Sequence, residues 1–89
     1  MPVVLVPSAL RQYTGQQARV SVPGQTVAAI LDSLTAEAPA MRSHLFAAGA
    51  LRHFVVVSKN GQDIRLLQGL ATPVAGTDEI RILASIAGG

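Results

Sequence analysis

The sequence ends in two glycines, and this end is the part of the chain whose residue types could take part in a reaction. Gly88 and Gly89 lack a Cβ atom, so they fit a passage too narrow for other residues and leave the terminal carboxylate sterically open. A carboxylate is a poor electrophile until a leaving group is attached, so an ATP-dependent partner would have to adenylate it. Sulfur or an amine could then attack the acyl-adenylate. The alternative is an inert, frayed end, since chain termini often fray.

The rest of the sequence offers little else for chemistry. The absence of cysteine excludes a disulfide scaffold, a zinc knuckle and a thiol nucleophile. Only His44 and His53 are present, which excludes a multi-histidine metal site. The adjacent acids Asp78 and Glu79 would point to opposite faces of a strand, so we expect them to stabilise a turn rather than to act as an acid/base pair. We therefore predict no catalytic residue and no metal site within the chain.

The charge distribution argues against a nucleic-acid partner. Seven basic and five acidic residues give a net charge of +2 and a pI near 10.0. The arginines are scattered, without interleaved aromatic residues, whereas nucleic-acid binders cluster their positive charge. The longest uncharged stretch is too polar to span a bilayer, and no basic segment leads into the first apolar run as in a signal peptide. We expect no membrane partner and a cytoplasmic location.

The length and composition predict a single small domain over residues 1–89. The chain has 89 residues, of which 49% are hydrophobic and 13% charged, as in compact globular domains. Aromatic residues make up only 3% of the sequence, so the core must be aliphatic. A domain of this size has one small core and little room for a buried catalytic apparatus.

The first part of the sequence predicts a hairpin. Val3–Pro7 is a short run rich in β-branched residues, and Ala18, Val20 and Val22 alternate with polar residues as in a half-buried strand. The segment between them contains Gly15, which we expect to supply the permissive backbone at the bend.

The main helix is predicted to follow. Thr26 is the expected N-cap and Pro39 ends the helix near Ala38. Its apolar residues have the i, i+3, i+4, i+7 spacing of one buried stripe, namely Val27, Ile30, Leu31 and Leu34. A short second helix is expected over Ala40–Ala48, with Met41, Leu45 and Phe46 turned inward.

The second part of the sequence predicts three further strands. These are Phe54–Ser58, a strand returning through Ile64 and Leu66 after the Asn60-Gly61 turn, and Glu79–Ile86 after a loop over Gly69–Gly76. The order predicts an α+β fold of the β-grasp type, with a mixed sheet of four to five strands packed on one main helix. The last strand is expected to pair beside the first.

The segment Gly69–Gly89 resembles the C-terminal signature of the ThiS/MoaD family of ubiquitin-like sulfur carriers. That family typically shows a small residue and Thr in a loop, a turn, an aliphatic strand and a terminal Ala-Gly-Gly or Gly-Gly. Leu51–Val55 followed by Asn60–Arg65 resembles the CysO-type branch in particular. The opening strand, the turn at Gly15 and the helix at Thr26 are in register, so the likeness covers essentially the whole chain.

Two positions depart from the family pattern. Ala84 lies near the place where family members often carry proline, and Thr77 separates Gly76 from Asp78, which the family usually joins as a dipeptide. Neither change touches the reacting terminus, and both concern how a partner docks.

The resemblance implies a role for the C-terminus. Gly89 would be adenylated by a ubiquitin-activating-type enzyme, which uses ATP and Mg²⁺, and then converted to a thiocarboxylate that donates sulfur in biosynthesis. Gly88 and Ala87 would form a flexible tail that threads into the partner. The carrier would be a protein co-substrate rather than an enzyme, with no cofactor of its own.

The resemblance also implies a second partner, a synthase that accepts the sulfur. The CysO-type branch favours a cysteine synthase, with a metalloprotease that later trims the cysteine adduct from Gly89. Thiamin, molybdopterin or secondary-metabolite synthesis are the other branches of the same class. Two alternatives remain open: a ubiquitin-like modifier joined to lysines of other proteins through Gly89, and a β-grasp interaction module with an inert tail.

Three further residues are candidates for partner contact. Leu83 shares its strand face with Glu79 and Arg81, away from the core, so it is either half of a partner patch or covered by the neighbouring strand. Arg52 and His53 could contact a partner or the phosphate of an adenylate, or could be solvated residues that open a strand. His44 is expected at the surface.

Overall fold

The computed structural model describes residues 1–84; Ala87, Gly88 and Gly89 lie outside the described residues. The described residues form, in chain order, β1 (Val3–Leu5), β2 (Arg19–Ser21), α1 (Val27–Glu37), α2 (Arg42–Leu45), β3 (Phe46–Ala47), β4 (Ala50–Leu51), β5 (Val55–Lys59), β6 (Gln62–Asp63) and β7 (Glu79–Ala84). Short 3₁₀ helices lie between several of these elements.

A five-stranded mixed sheet forms the framework, in the order β2-β1-β7-β5-β6. The last strand, β7, runs parallel to β1 and antiparallel to β5, so it lies in the middle of the sheet. The α+β roll of the β-grasp type, with the last strand beside the first, is therefore confirmed. The connection through α1 leads from β2 to β5, which β1 and β7 separate in the sheet, so the expected return of this crossover to a neighbouring position is wrong.

Helix α1 covers one face of the sheet, and its boundaries are those predicted. The Thr26 hydroxyl accepts a hydrogen bond from the amide of Ala29 at 3.1 Å, which satisfies one of the free amides at the helix start. The helix ends at Glu37, and Ala38 is its C-cap directly before Pro39. The predicted stripe is fully buried. Its four residues are at most 1% exposed and belong to the same aliphatic core cluster as Ile80 and Ile82 of β7: Val27, Ile30, Leu31 and Leu34.

The chain enters α1 through a backbone conformation that favours glycine. Gly24 has φ = +155°, and a Cβ at this position would lie 2.8 Å from the backbone nitrogen of Ile30. Real Cβ atoms do not approach backbone so closely, so Gly24 permits the tight contact between the helix and the segment that precedes it.

The connection between the first two strands differs from the predicted bend. The strands pair antiparallel as expected, but Ser8–Thr14 forms a 3₁₀ helix rather than a simple turn. Burial of Leu10, which is 3% exposed, ties this helix to the core. The prediction for Gly15 is confirmed, since it closes the helix with φ = +64°. Ala18, which was expected to alternate with Val20 and Val22 in a half-buried strand, lies before β2 and is exposed.

The second helix is shorter than predicted. A 3₁₀ turn over Pro39–Met41 leads into α2, which ends at Leu45, and both Met41 and Leu45 are buried as expected. Phe46, which was expected to turn inward, is only half-buried and begins β3. The guanidinium carbon of Arg42 lies 4.6 Å from the centroid of the Phe46 ring.

The residues after Phe46 form a small ribbon that the sequence did not predict. Phe46 pairs with Leu51, and Ala47 pairs with Ala50. Ala48 and Gly49 make the turn with φ values of +53° and +81°. Because alanine rarely adopts a positive φ, the pattern gave no hairpin signal here.

The returning strand after Asn60-Gly61 is also shorter than predicted. Only Gln62 and Asp63 pair with β5, and Ile64–Leu66 forms a 3₁₀ helix. The Asp63 carboxylate accepts a hydrogen bond from the Arg65 amide at 2.9 Å, and this cap turns the chain away from the strand. Leu66 is consequently 82% exposed.

The remaining differences are small. The strand predicted over Phe54–Ser58 lies one residue later. The predicted loop Gly69–Gly76 contains a 3₁₀ helix over Gly69–Ala71 and a bridge between Thr26 and Pro73. The last strand is described to Ala84, so Ser85 and Ile86 lie outside the described residues. Within residues 1–84, no helix has the length and apolar character needed to cross a membrane.

Candidate functional site

The strand that leads to the C-terminus is held on both sides. β7 pairs with β1 from Glu79 to Arg81 and with β5 from Ile80 to Ala84. A central strand with two ladders is a rigid element, and sites on such elements are positioned precisely. The five residues after Ala84, which include the predicted reacting residue Gly89, therefore follow a strand whose position and direction are fixed.

The sheet face opposite α1 carries a row of apolar side chains around Leu83. Leu83 is 49% exposed, and it faces Val56 across the β7–β5 ladder. Val3 and Leu5 of β1 lie on the same face, because they pair with Glu79 and Arg81, and both are half-buried. We call Val3, Leu5, Val56 and Leu83 the outer patch. The neighbouring strand therefore leaves about half of Leu83 uncovered.

Arginines surround one side of the outer patch. A groove of about 290 Å³ is lined by Leu5 and Leu83 together with Arg11, Arg19 and Arg81. Arg11 Nε donates a hydrogen bond to the Val6 carbonyl at 3.0 Å, and Arg19 lies 3.6 Å from the Glu79 carboxylate. Arg81 forms no ion pair with another residue in the described part of the chain. This groove suits a partner that presents apolar and acidic side chains together.

Sequence reasoning missed most of this surface. It singled out Leu83 but not Val3, Leu5 or Val56, although the signal was available. Val56 has the opposite parity to the buried residues Val55 and Val57, so a two-residue period alone puts it on the outer face. The arginines could not be grouped from sequence, because the ladder register brings them together.

Arg52 and His53 lie beside a second groove, of about 370 Å³, which Val56 also lines. Arg52 Nε donates a hydrogen bond to the Ser43 carbonyl at 2.8 Å, and its guanidinium lies 6.0 Å from the Phe54 ring centroid. These contacts tie the turn before β5 to α2. His53 is exposed. The structure thus places Arg52 and His53 at one groove and Leu83 at another. Val56, which lines the first groove, pairs with Leu83 across the β7–β5 ladder.

Asp78 stabilises the turn before β7. Its carboxylate accepts hydrogen bonds from the Ala75 amide at 2.7 Å and from Asn60 Nδ2 at 2.8 Å. The Ala75 amide, then the Asn60 side chain, then the positive charge of Lys59 lower the pKa of Asp78. The predicted structural role of this acid is confirmed.

The remaining polar candidates have local contacts. His44 is exposed, and its Nε2 lies 2.8 Å from the Tyr13 hydroxyl. Among residues 1–84, no three histidine, aspartate or glutamate side chains are grouped so that they could hold a metal ion.

Comparison with known proteins places this geometry in a family. The model of the ThiS family matches residues 4–89. The sulfur carrier protein CysO of Mycobacterium tuberculosis strain H37Rv is 37% identical in an alignment of 89 positions, which covers 97% of this chain and 96% of that protein.

Solved structures agree with this assignment. A chain of the BexX/CysO complex of Amycolatopsis orientalis matches with a TM-score of 0.92 and 31% identity over 100% of both chains. M. tuberculosis CysO matches with a TM-score of 0.89 and 34% identity over 97% of this chain and 100% of that one. Small archaeal modifier protein 1 of Methanosarcina acetivorans matches with a TM-score of 0.88 and 32% identity, over 99% of this chain and 95% of that one. The family model matches residues 4–89 and the likeness to CysO extends over nearly the whole chain, so the chain belongs to the ThiS family.

Proposed function

We propose that this protein is a sulfur carrier whose C-terminal Gly89 bears the sulfur. The observation that supports this most directly is the 37% identity to the sulfur carrier protein CysO over nearly the whole chain, together with a family match that extends to residue 89. The rigid central strand β7 supports it further, because it sets the starting point of the tail that ends in Gly89.

The proposed activation occurs in two steps. The Gly89 carboxylate attacks the α-phosphorus of ATP, bound with Mg²⁺ by a ubiquitin-activating-type enzyme, and pyrophosphate leaves. A sulfide-level donor then attacks the acyl carbon and AMP leaves, which gives the thiocarboxylate. The partner supplies the catalytic groups. In this scheme Gly88 and Ala87 thread the reacting end into the partner's site. Gly88 has no side chain and Ala87 has only a methyl group, whereas a larger side chain would obstruct the passage.

The sulfur acceptor in this proposal is a synthase. The CysO likeness favours a cysteine synthase, with a metalloprotease that releases cysteine from Gly89. A solved complex of a related CysO with a second protein supports partner docking as the mode of action. Thiamin, molybdopterin and secondary-metabolite synthesis would use the same thiocarboxylate with other acceptors.

Intact mass spectrometry of the protein isolated from its native host tests the proposal. Replacement of one carboxylate oxygen by sulfur adds about 16 Da to the mass. We expect this species beside the unmodified chain, and alkylation with iodoacetamide should shift the sulfur-bearing species alone. Absence of the heavier species from cells that express the activating enzyme would contradict the proposal.

A second candidate function is protein modification through Gly89. The likeness to small archaeal modifier protein 1, at 32% identity and nearly full coverage, favours it. In this case the acyl-adenylate, or a thioester derived from it, transfers Gly89 to an amine of another protein. The same mass measurement distinguishes the two functions, because conjugates give a ladder of larger species.

The outer patch provides a prediction about partner docking. We expect Leu83→Asp to raise the KM for the carrier in ATP–pyrophosphate exchange by tenfold or more. A buried interface leucine replaced by a charge commonly costs at least about 1.4 kcal/mol, which corresponds to tenfold in affinity. Exchange with the cognate adenylating enzyme is the measurement.

Leu66→Asp is the matched control. Leu66 is 82% exposed and lines neither groove, so the same change of leucine to aspartate should leave KM within twofold. Equal effects of both substitutions, or no effect of Leu83→Asp, would show that the outer patch does not contact the activating enzyme.

A further inference from the structure

The single lysine of the sequence is held in contacts with the protein's own groups. Lys59 Nζ donates a hydrogen bond to the Pro73 carbonyl at 2.9 Å and lies 3.9 Å from Asp78 Oδ2. The side chain of Lys59 is 25% exposed and that of Asp78 is 15% exposed. The ammonium group is therefore held at the protein surface by a carbonyl and a carboxylate.

The carboxylate that faces Lys59 is itself fixed and charged. Asn60 Nδ2 and the Ala75 amide donate to its two oxygens at 2.8 and 2.7 Å. These bonds keep the pKa of Asp78 below its usual value, so the carboxylate is ionised at neutral pH. Lys59 Nζ therefore faces a negative charge that is held in place by two hydrogen bonds.

The carbonyl that accepts from Lys59 is also held in place. The residues on either side of Pro73 are bonded to the start of α1: the Val27 amide donates to the Thr72 carbonyl at 3.0 Å, and the Val74 amide donates to the Gln25 carbonyl at 2.9 Å. The Pro73 carbonyl therefore cannot follow Lys59 outward, and the lysine must break the contact to leave.

An activated carrier needs protection from its own amines. An amine attacks an acyl-adenylate through its nitrogen lone pair: the C–N bond forms, AMP leaves and the amine loses a proton. Six of the seven basic residues are arginines, which stay protonated and do not attack. Lys59 is thus the sole side-chain amine in the chain that could react with an activated Gly89.

We infer that Lys59 is a structural cation withheld from acylation, so that the activated protein does not form lysine-linked chains of itself. To react, Nζ has to leave the Pro73 carbonyl and the Asp78 carboxylate and lose its proton. The consequence for self-acylation rests on the proposed activation of Gly89, whereas the protection of Lys59 is a property of the folded chain alone.

Competitive labelling tests the protection without any activating enzyme. The folded protein and Nα-acetyl-lysine amide are acetylated together with limiting N-hydroxysulfosuccinimidyl acetate, and peptide mass mapping gives the two rates. We expect Lys59 to react about tenfold more slowly than the free amine, a ratio that corresponds to about 1.4 kcal/mol. In concentrated urea the two rates should become equal. Equal rates in the folded protein, or a slow rate that persists in urea, would overturn the inference.

Asp78→Asn gives a second measurement, and Asp32→Asn is its matched control. The first change removes the charge beside Lys59 but keeps an oxygen that can accept from Asn60 or Ala75, so labelling of Lys59 should become several times faster. Asp32 pairs with Arg42 at 2.9 Å and does not contact Lys59, so its replacement should leave the rate unchanged. An Asp78→Asn rate equal to wild type would refute the assigned contact.

The mass of the activated protein tests whether Lys59 is acylated by a second copy of the chain. With the activating enzyme and ATP, the wild-type protein should give no Lys59-linked species of doubled mass. Such a species, mapped to Lys59, would overturn the inference while supporting activation of Gly89. Failure of ATP–pyrophosphate exchange would instead contradict the proposed function and leave the labelling result standing.

Discussion

Replacement of Leu34 by alanine is expected to lower the free energy of unfolding by about 2–5 kcal/mol, as large-to-small changes in a core do. Leu34 is 1% exposed and lies in the cluster that joins α1 to β7 and β5. Truncation leaves a cavity that the surrounding aliphatic side chains fill only in part. A small domain has a modest total stability, so this loss is a large fraction of it.

Urea unfolding, followed by circular dichroism, measures the effect of Leu34→Ala. Glu37→Ala is the control, since Glu37 lies on the exposed side of the same helix and should change the unfolding free energy by less than about 0.5 kcal/mol. A Leu34→Ala midpoint equal to that of the parent would mean that this face of α1 does not pack on the sheet.

The parts of the fold that sequence predicted correctly are those set by local signals. The buried stripe of α1, its Thr26 cap and the Pro39 stop all lie within one segment, and the Asn60-Gly61 turn has the positive φ values its residues favour. The prediction that the returning strand continues through Ile64 and Leu66 was wrong because a side-chain contact overrides the local pattern. Ile64 and Leu66 have the alternation of a strand, but the Asp63 side chain caps a 3₁₀ helix and overrides that pattern.

The candidate site likewise combines one feature that the local sequence predicts with contacts that it does not predict. Exposure of Leu83 follows from strand parity, which is a local property. The contacts of Arg52 and Lys59 do not, because each side chain bonds a carbonyl on another element, at Ser43 and Pro73 respectively. Such contacts depend on how segments distant in sequence meet, and no spacing rule reports them.

Deletion of Gly89 is expected to abolish activation while leaving the fold intact. Removal of one residue displaces the carboxylate by about 3.3–3.6 Å. A misplacement of about 1 Å can already cost a hundredfold in rate, so ATP–pyrophosphate exchange should fall by at least that factor. Because glycine brings no side chain to a core, the unfolding free energy should change by less than about 0.5 kcal/mol.

Gly89→Val tests the same position without changing the chain length. The added Cβ crowds the approach to the acyl carbon, so exchange should again be lost, whereas Leu66→Asp should keep it. Thermal melts of all three variants accompany the assay. Wild-type exchange from the chain lacking Gly89 would refute both the carrier and the modifier functions and leave an interaction module with an inert tail. A large fall in melting temperature would instead show that Gly89 contributes to the fold, and the loss of exchange would then have a structural cause. Lost exchange with an unchanged melt is the result that assigns the chemistry to the Gly89 carboxylate.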